Sequence, residues 1–385
     1  MKLKTSMRVP FVDLQAQHRS LQSQLQAAFN EILESAHFIG GSKVREFEEA
    51  FAEFVGASYC IGVSSGTSAL ELSLKALGLG SGDDVIVPAN SFFATAEAVS
   101  NVGARPIFAD VDAHTFHIDV ASCERVITPH TRAIIPVHLF GWALDMAPIE
   151  HFAAKHNLFI VEDAAQAHGI GRDGKRVGSS GRLTCFSFYP GKNLGALGDA
   201  GAITTGDACL ADLLRELRDH GSPSKYQHRV VGTNARLDSL QAAALSIKLS
   251  HLNDWNEARH RHAQAYTTAL KDSGVLSPIV PSAGEHNFHL FVVRSEKRDE
   301  LREHLSKLGI ETGIHYPTPL HLTEAYQSLG APVKGTLPQA ETLAEEILSL
   351  PMFPELTSEQ IDYTAEAIHE FHGIRDQHRA SMSCA

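Results

Sequence analysis

The sequence is short of basic charge. Its 33 Lys and Arg stand against 45 Asp and Glu, a formal net charge of −12, so no broad cationic surface exists to hold a nucleic acid or an anionic membrane. Any anionic ligand must be met by a local site. Cysteine is scarce as well: Cys60, Cys123, Cys185, Cys209 and Cys384 are odd in number, far apart and form no CxxC. That spacing argues against a disulfide framework or a zinc site and fits a reducing, cytoplasmic setting. No stretch approaches the roughly 20 apolar residues of a membrane helix, and the opening MKLKTSMRVPFVDLQAQHRS lacks the apolar core of an export signal. Neither secretion nor membrane insertion is expected. Internal repeats and low-complexity tracts are missing too.

What is present is apolar material in quantity. The 385 residues are 43% hydrophobic and only 20% charged, enough for a large core and a smaller second domain. From Ser58 to about His220, short β-branched or aromatic runs alternate with helical stretches, the pattern of an α/β sheet with crossover helices. The expected strands are Tyr59–Val63, Asp84–Pro88, Arg105–Ala109, Arg132–Val137, Leu158–Glu162, Thr184–Phe188 and Gly201–Thr205. Helices are expected at Thr67–Leu77, Thr95–Val102, Pro148–Lys155 and Ala208–Arg218. After Ser239 some thirty residues read as one long connecting helix. A strand at Phe288–Val293, a helix at Arg298–Leu308 and an extended HYPTPLHL stretch then suggest a smaller α+β lobe. The division falls at 1–250 and 251–385.

Four segments carry candidate chemistry, each at a strand end or helix start, where open α/β sheets place their ligands. Gly62-Val63-Ser64-Ser65-Gly66-Thr67-Ser68 runs from a strand through small residues into a helix and offers N–H and hydroxyl groups to a phosphate, although such residues also simply cap helices. Phe159–Gly169 is an apolar strand ending in Glu162 and Asp163. A carboxylate buried at that position needs a cationic or protonated partner unless it merely caps the next helix. Cys185–Gly195 places Lys192 in a turn among small and apolar residues, where desolvation can free its amine to attack carbonyls. A lone lysine is otherwise an ordinary surface group. The fourth segment is Gly313–Leu322.

Together these segments resemble the fold-type I pyridoxal-phosphate enzymes, which are aspartate aminotransferase-like. Within them the sequence is similar to the DegT/DnrJ/EryC1/StrS sugar aminotransferases, from about Val9 to about Phe371. The matching stretches are HFIGG, VSSGTSAL, GDDVIVPANSFFATAEAV, GARPIFADVD, PVHLFG, VEDAAQAHG, FSFYPGKNLGALGDAG, YQHRVVGTNARLDSLQAA, HYPTPLHL and SLPMFPELT. The resemblance implies a mostly parallel seven-stranded sheet with a smaller C-terminal α+β domain, and pyridoxal 5'-phosphate as cofactor. It implies that Lys192 bonds the cofactor and shuttles a proton, that Asp163 pairs with the pyridinium nitrogen, and that Phe92, rather than Phe93, stacks on the ring. Gln166 would approach the ring hydroxyl. Thr67, Ser68 and Ser187 would hold the phosphate, and Asn234 would reach the phosphate of a neighbouring subunit. A homodimer with shared sites follows.

The HYPTPLHL stretch resembles that of members aminating C3 of nucleotide-linked 3-keto sugars. By this resemblance His315, Tyr316 and Tyr189 line the sugar, and Lys225 from the partner chain meets the diphosphate. The implied reaction moves an amino group from an amino-acid donor, L-glutamate by family habit, to a dTDP- or UDP-linked keto sugar, in amino sugar biosynthesis for a surface polysaccharide such as lipopolysaccharide or a glycosylated metabolite. An inosose aminotransferase and a non-catalytic cofactor-binding regulator are the alternatives. A sugar 3-dehydratase, in which histidine replaces the lysine, is disfavoured by Lys192. No metal is expected: His315 and His321 lack a companion ligand cluster. The Arg259-His260-Arg261-His262 run reads as a solvated helix face.

Overall fold

The computed structural model describes residues 7–373. Eleven strands occur among them: β1 (Tyr59–Val63), β2 (Asp84–Pro88), β3 (Arg105–Ala109), β4 (Thr131–Ile134), β5 (Phe159–Asp163), β6 (Gly171–Arg172), β7 (Lys175–Arg176), β8 (Leu183–Ser187), β9 (Gly201–Thr205), β10 (Phe291–Arg294) and β11 (Ile347–Leu350). Seven form the main sheet in the order β1-β9-β8-β5-β4-β2-β3. β9 pairs antiparallel with both β1 and β8, and the pairings from β8 across to β3 are parallel. Parallel strands covered by helices on both faces need continuous apolar runs, and β2, Asp-Val-Ile-Val-Pro, is buried at all five positions. The sheet has the seven strands and the mostly parallel α/β architecture the sequence implied.

Short polar residues set the helix starts. Asp119, Asp145 and Asp207 each accept an N–H from the first turn of the helix that follows, and Thr357 with Gln360 closes a reciprocal capping box on Ser358–Phe371. The helix Gly66–Ala76 is capped by Ser65 and lies under the sheet beside the site.

Several expectations need correction. The single connecting helix is two, Ser239–Leu249 and Leu252–Ala269. At their junction the Ser250 hydroxyl turns back onto the Ile247 carbonyl at 2.8 Å, and the His251 N–H bonds the Lys248 carbonyl at 3.0 Å, a tighter turn that redirects the axis. β10 begins at Phe291 because Phe288 sits at φ 44°, a conformation no strand residue adopts. β4 stops at Ile134, so Ile135–Val137 lie beyond the strand. β11 was not anticipated; its apolar Ile-Leu-Ser-Leu reads equally as the end of the preceding helix.

β10 and β11 form the antiparallel sheet of the C-terminal lobe, whose core gathers Tyr266, Phe291, Leu301, Leu348 and Ile368. Val9 joins that core from the opposite end of the sequence, bridging to Ile310 in parallel. A division at residue 250 therefore leaves out an N-terminal strand-like segment that packs with the small lobe.

Candidate active site

The C-terminal ends of β5 and β8, and the segments following β1, β2 and β4, converge on a cavity of about 690 Å³, within the usual range for a cofactor or ligand site. Lys192 and Asp163 both line it. Asp163 ends β5 and is 5% exposed. Its Oδ2 accepts the Thr95 hydroxyl at 2.8 Å and its Oδ1 the Ala165 N–H at 3.1 Å, while the Ser91 and Thr95 hydroxyls are 2.7 Å apart. Burial nevertheless pushes the Asp163 carboxyl above its ordinary value, with the bonds from Ala165 and Thr95 and the Lys192 charge opposing. Such a carboxylate favours a cationic neighbour.

The turn after β8 is fixed by backbone bonds from Lys192 N–H to the Tyr189 carbonyl and from Ala196 N–H to the Phe188 carbonyl, both 2.8 Å. Gly195 is required here, because a Cβ would stand 2.3 Å from the Pro190 carbonyl oxygen. Beneath the turn the buried Lys248 donates to the Gly195 carbonyl at 2.7 Å. Burial draws the Lys192 amine down to about 8, against the pull of Asp163, so a neutral, nucleophilic fraction exists near neutral pH.

Gln166 is held between two partners: its Oε1 accepts the Phe140 N–H at 2.5 Å and its Nε2 donates to the Tyr316 hydroxyl at 3.3 Å. Tyr316 faces Phe92, ring centroids 5.7 Å apart. Phe92 is 56% exposed in the cavity wall, whereas Phe93 turns away onto Tyr326. His315 bonds Ser349 at 2.8 Å, and burial lowers it to about 4. Tyr189 and Ser187 complete this wall.

At the phosphate end, Thr67 lines the cavity with Ser65 and Gly66. Ser68 does not. Its hydroxyl lies 2.9 Å from that of Ser64 and 3.1 Å from that of Ser65, so it braces the helix start. Asn234 and Lys225 lie outside this chain's cavity, at exposed positions of the segment 222–236. Asn234 bridges to Asp219, and the Lys225 amine sits 5.1 Å from the Tyr226 ring centre. His321 also lies outside, bonded to Glu341 at 3.2 Å. Among the described residues there is no group of three or more His, Cys, Asp or Glu arranged to hold a metal.

Sequence reasoning missed Ser91, His289 and Arg259, which line the cavity, and Thr95, which lies behind it against Asp163. The solvated-face reading is wrong for Arg259, which is 4% exposed. A signal was available: the buried residues of its helix, Leu252, Arg259, Ala263 and Tyr266, fall at helical spacing and put the arginine on the inner face.

A fold of this kind, with a desolvated lysine, a buried strand-end carboxylate and a helix N-terminus lining one cavity, defines a fold-type I pyridoxal-phosphate enzyme. The chain belongs to the DegT/DnrJ/EryC1/StrS aminotransferase family, whose model matches residues 19–369. It is 49% identical to the "Erythromycin biosynthesis sensory transduction protein EryC1" of Saccharopolyspora erythraea, over 93% of this chain and 98% of that protein. It is 45% identical to the dTDP-3-amino-3,4,6-trideoxy-alpha-D-glucose transaminase of Streptomyces venezuelae, over 96% and 98%. Among solved structures it is similar to S. venezuelae DesV in complex with a ketimine intermediate, with TM-score 0.93, 44% identity and coverage of 95% and 99%. It is also similar to ntda from Bacillus subtilis with bound cofactor PMP, with TM-score 0.89, 32% identity and coverage of 97% and 87%.

The enzyme is a pyridoxal-phosphate-dependent aminotransferase. The residues present fit that cofactor. Asp163 is a buried acceptor suited to a protonated ring nitrogen, and the Lys192 amine is partly neutral. The chain also comes too close for a side chain at two glycines around the helix start: a Cβ on Gly66 would lie 2.6 Å from the Ser187 Cβ, and one on Gly201, at the start of β9, 2.4 Å from the Ser65 carbonyl carbon. Backbone N–H groups at such a start attract an anion.

Proposed function

We propose that the enzyme transfers an amino group from L-glutamate to C3 of a dTDP- or UDP-linked 3-keto hexose, as a cytoplasmic homodimer with shared active sites, in making an amino sugar for a surface polysaccharide or a glycosylated metabolite. What carries this reading is the grouping of Lys192, Asp163 and the Gln166–Tyr316 pair in one cavity whose outer wall is His315, Tyr316 and Tyr189. The 45% identity to a transaminase named for a dTDP-3-amino sugar supports the acceptor.

When bound, pyridoxal phosphate supplies an electron sink that lets a Cα–H bond next to nitrogen ionise. This chain's residues do the remainder. Lys192 would hold the cofactor and then, as a free amine, carry a proton between the donor's Cα and C4′ of the cofactor. Asp163, fixed by Thr95 and Ala165, would keep the ring nitrogen protonated. Thr67, Ser187 and the helix start would hold the phosphate, with Ser68 acting through Ser65. Gln166 would orient the ring hydroxyl, and Phe92 would cover one ring face and exclude water. Asn234 and Lys225 would come from the partner subunit, Lys225 meeting the sugar's diphosphate.

Purified enzyme supplied with glutamate should aminate a dTDP- or UDP-linked 3-keto sugar and leave scyllo-inosose untouched. Amination of the cyclitol alone would replace this reading with that of an inosose aminotransferase. A second reading, a regulator without turnover, is prompted by the sensory-transduction name of one relative. Bound cofactor with no transfer to any acceptor would favour it.

A further inference from the structure

The N-terminal segment reaches the active site. Val9 sits in the core of the small lobe, whereas Phe11 packs against the core of the main sheet. Backbone bonds tie the segment to residues 309–311: the Val9 N–H donates to the Gly309 carbonyl at 3.0 Å, and the Glu311 N–H to the Val9 carbonyl at 2.9 Å. The Glu311 carboxylate in turn accepts the Phe11 N–H at 3.3 Å and pairs with Arg8 at 2.9 Å. Held in this way, Phe11 and Val12 both line the cavity that contains Lys192. Neither has a role in the chemistry described above.

In the cavity wall Phe11 meets His315. The two rings stack with centroids 5.7 Å apart and planes 17° apart, and Tyr316 stands nearly perpendicular to the same imidazole at 5.5 Å. Gly313 leaves room for the arrangement: a Cβ there would lie 2.6 Å from His315 Cε1 and 3.3 Å from Phe11 Cζ. Ser349, which exchanges backbone bonds with Gly313, takes His315 Nδ1 at 2.8 Å, so Nε2 is the ring nitrogen left for a ligand. Burial lowers the imidazole to about 4, which keeps it neutral near neutral pH. One hydrogen bond fixes a single direction of such a ring and leaves it free to swing about that contact. A stacked phenyl fixes the plane as well, and occupies no polar atom. We infer that Phe11 positions His315 for the keto sugar, so that the N-terminal segment serves as a wall of the acceptor subsite. The inference rests on the acceptor reading above, in which His315 lines the sugar.

Phe11→Leu keeps the apolar bulk and removes the ring, whereas Phe11→Tyr keeps the ring. The two halves of the reaction can be followed separately: glutamate should bleach the visible band of enzyme-bound pyridoxal phosphate, and a dTDP- or UDP-linked 3-keto sugar should then restore it. F11L should raise the keto-sugar concentration needed for half-maximal restoration by about three- to tenfold, the range an aromatic contact supplies, and alter the glutamate half far less. F11Y should return to the wild-type value. Calorimetry with the nucleotide-linked 3-amino sugar should show the same loss of affinity in F11L and the same rescue in F11Y. An F11L enzyme equal to wild type with the keto sugar overturns the inference. So does an equal loss in both halves with a lowered Tm, which identifies a residue that only supports the fold. If F11L does not fold, Gly313→Ala decides, because its Cβ would crowd His315 Cε1; a keto-sugar half impaired no more than the glutamate half is fatal there. Wild type that aminates scyllo-inosose alone would sink the acceptor reading and this inference with it, whereas the F11L and F11Y comparison on a wild type that accepts keto sugar tests the inference by itself.

Discussion

Lys192 is the residue on which the chemistry turns, and its environment makes a pH prediction with a definite sign. Burial lowers the amine to about 8, so the neutral form grows as pH rises toward that value and saturates above it. Covalent capture of pyridoxal phosphate by the apoenzyme, trapped with borohydride and located by mass spectrometry, should therefore accelerate from about pH 6 to about 8 and then level. A rate independent of pH over that range would contradict the assignment. Asp163→Asn removes the carboxylate that opposes the shift, so the midpoint should move lower. Lys192→Ala should abolish turnover while pyridoxamine phosphate still binds; retained turnover would remove Lys192 from the mechanism. The lysine, Asp163 and the choice of Phe92 over Phe93 were readable as motif positions. Arg259 was not, because it stands in a run of four basic residues, Arg259-His260-Arg261-His262, where only the helix phase distinguishes the buried arginine from the exposed Arg261.

At the scale of elements, the site depends on two chain crossings too tight for a side chain. Gly66→Ala would drive a Cβ to 2.6 Å from the Ser187 Cβ, backed by the Ser187 Cα at 3.2 Å. The helix start must then shift away from β8, with a cost of about 1–3 kcal/mol. Thermal melts should show the loss, and affinity for inorganic phosphate or the cofactor should fall with it; an unchanged Tm with unchanged affinity would mean that the crossing is not constrained. Beneath Asp163, the adjoining strand residue Glu162 is 2% exposed. It sits 3.1 Å from His138 Nε2, 2.7 Å from the Ser180 hydroxyl and 3.2 Å from Arg182 Nε. The Leu144 N–H donates to His138 Nδ1 at 3.0 Å, which leaves Nε2 to carry the proton given to Glu162. Burial pushes Glu162 up, but these bonds outweigh it and hold the carboxyl at about 2. A depressed carboxylate contributes stability that is present above its unfolded value and lost as pH falls through the folded one. Stability should accordingly decline between about pH 4.5 and 2, and Glu162→Gln should flatten that part of the curve of Tm against pH. A wild-type slope kept by the variant would place the acid sensitivity elsewhere. Strand identity in this sheet was legible from the apolar runs; the break at Ser250–His251 and the strand Ile347–Leu350 were not, because each is decided by how neighbouring elements dock and not by local pattern.

At the scale of the whole molecule, the net charge of −12 acquires a use once a second chain is considered. Among the described residues the cavity of one chain has Lys192 and Arg259 as its Lys and Arg side chains, the lysine partly neutral, and a nucleotide diphosphate needs more. The segment 222–236 carries Lys225 and Asn234 and displays Tyr226 at 84% and Val231 at 94% exposure, apolar side chains that a subunit interface would cover. No helix among the described residues is long and apolar enough to cross a membrane. If the sites are shared, each is assembled from Lys192 of one subunit and Lys225 and Asn234 of the other. A chain carrying Lys192→Ala and a chain carrying Lys225→Ala with Asn234→Ala should each be inactive or nearly so alone. Unfolded, mixed in equal amounts and refolded together, half of the dimers should be hybrids with one intact site of two, which returns about a quarter of wild-type activity. Recovery near that level, with a dimer mass by light scattering, is the expected result. Absence of recovery from a well-folded hybrid dimer would confine each site to its own chain and would leave the diphosphate to be met by other residues.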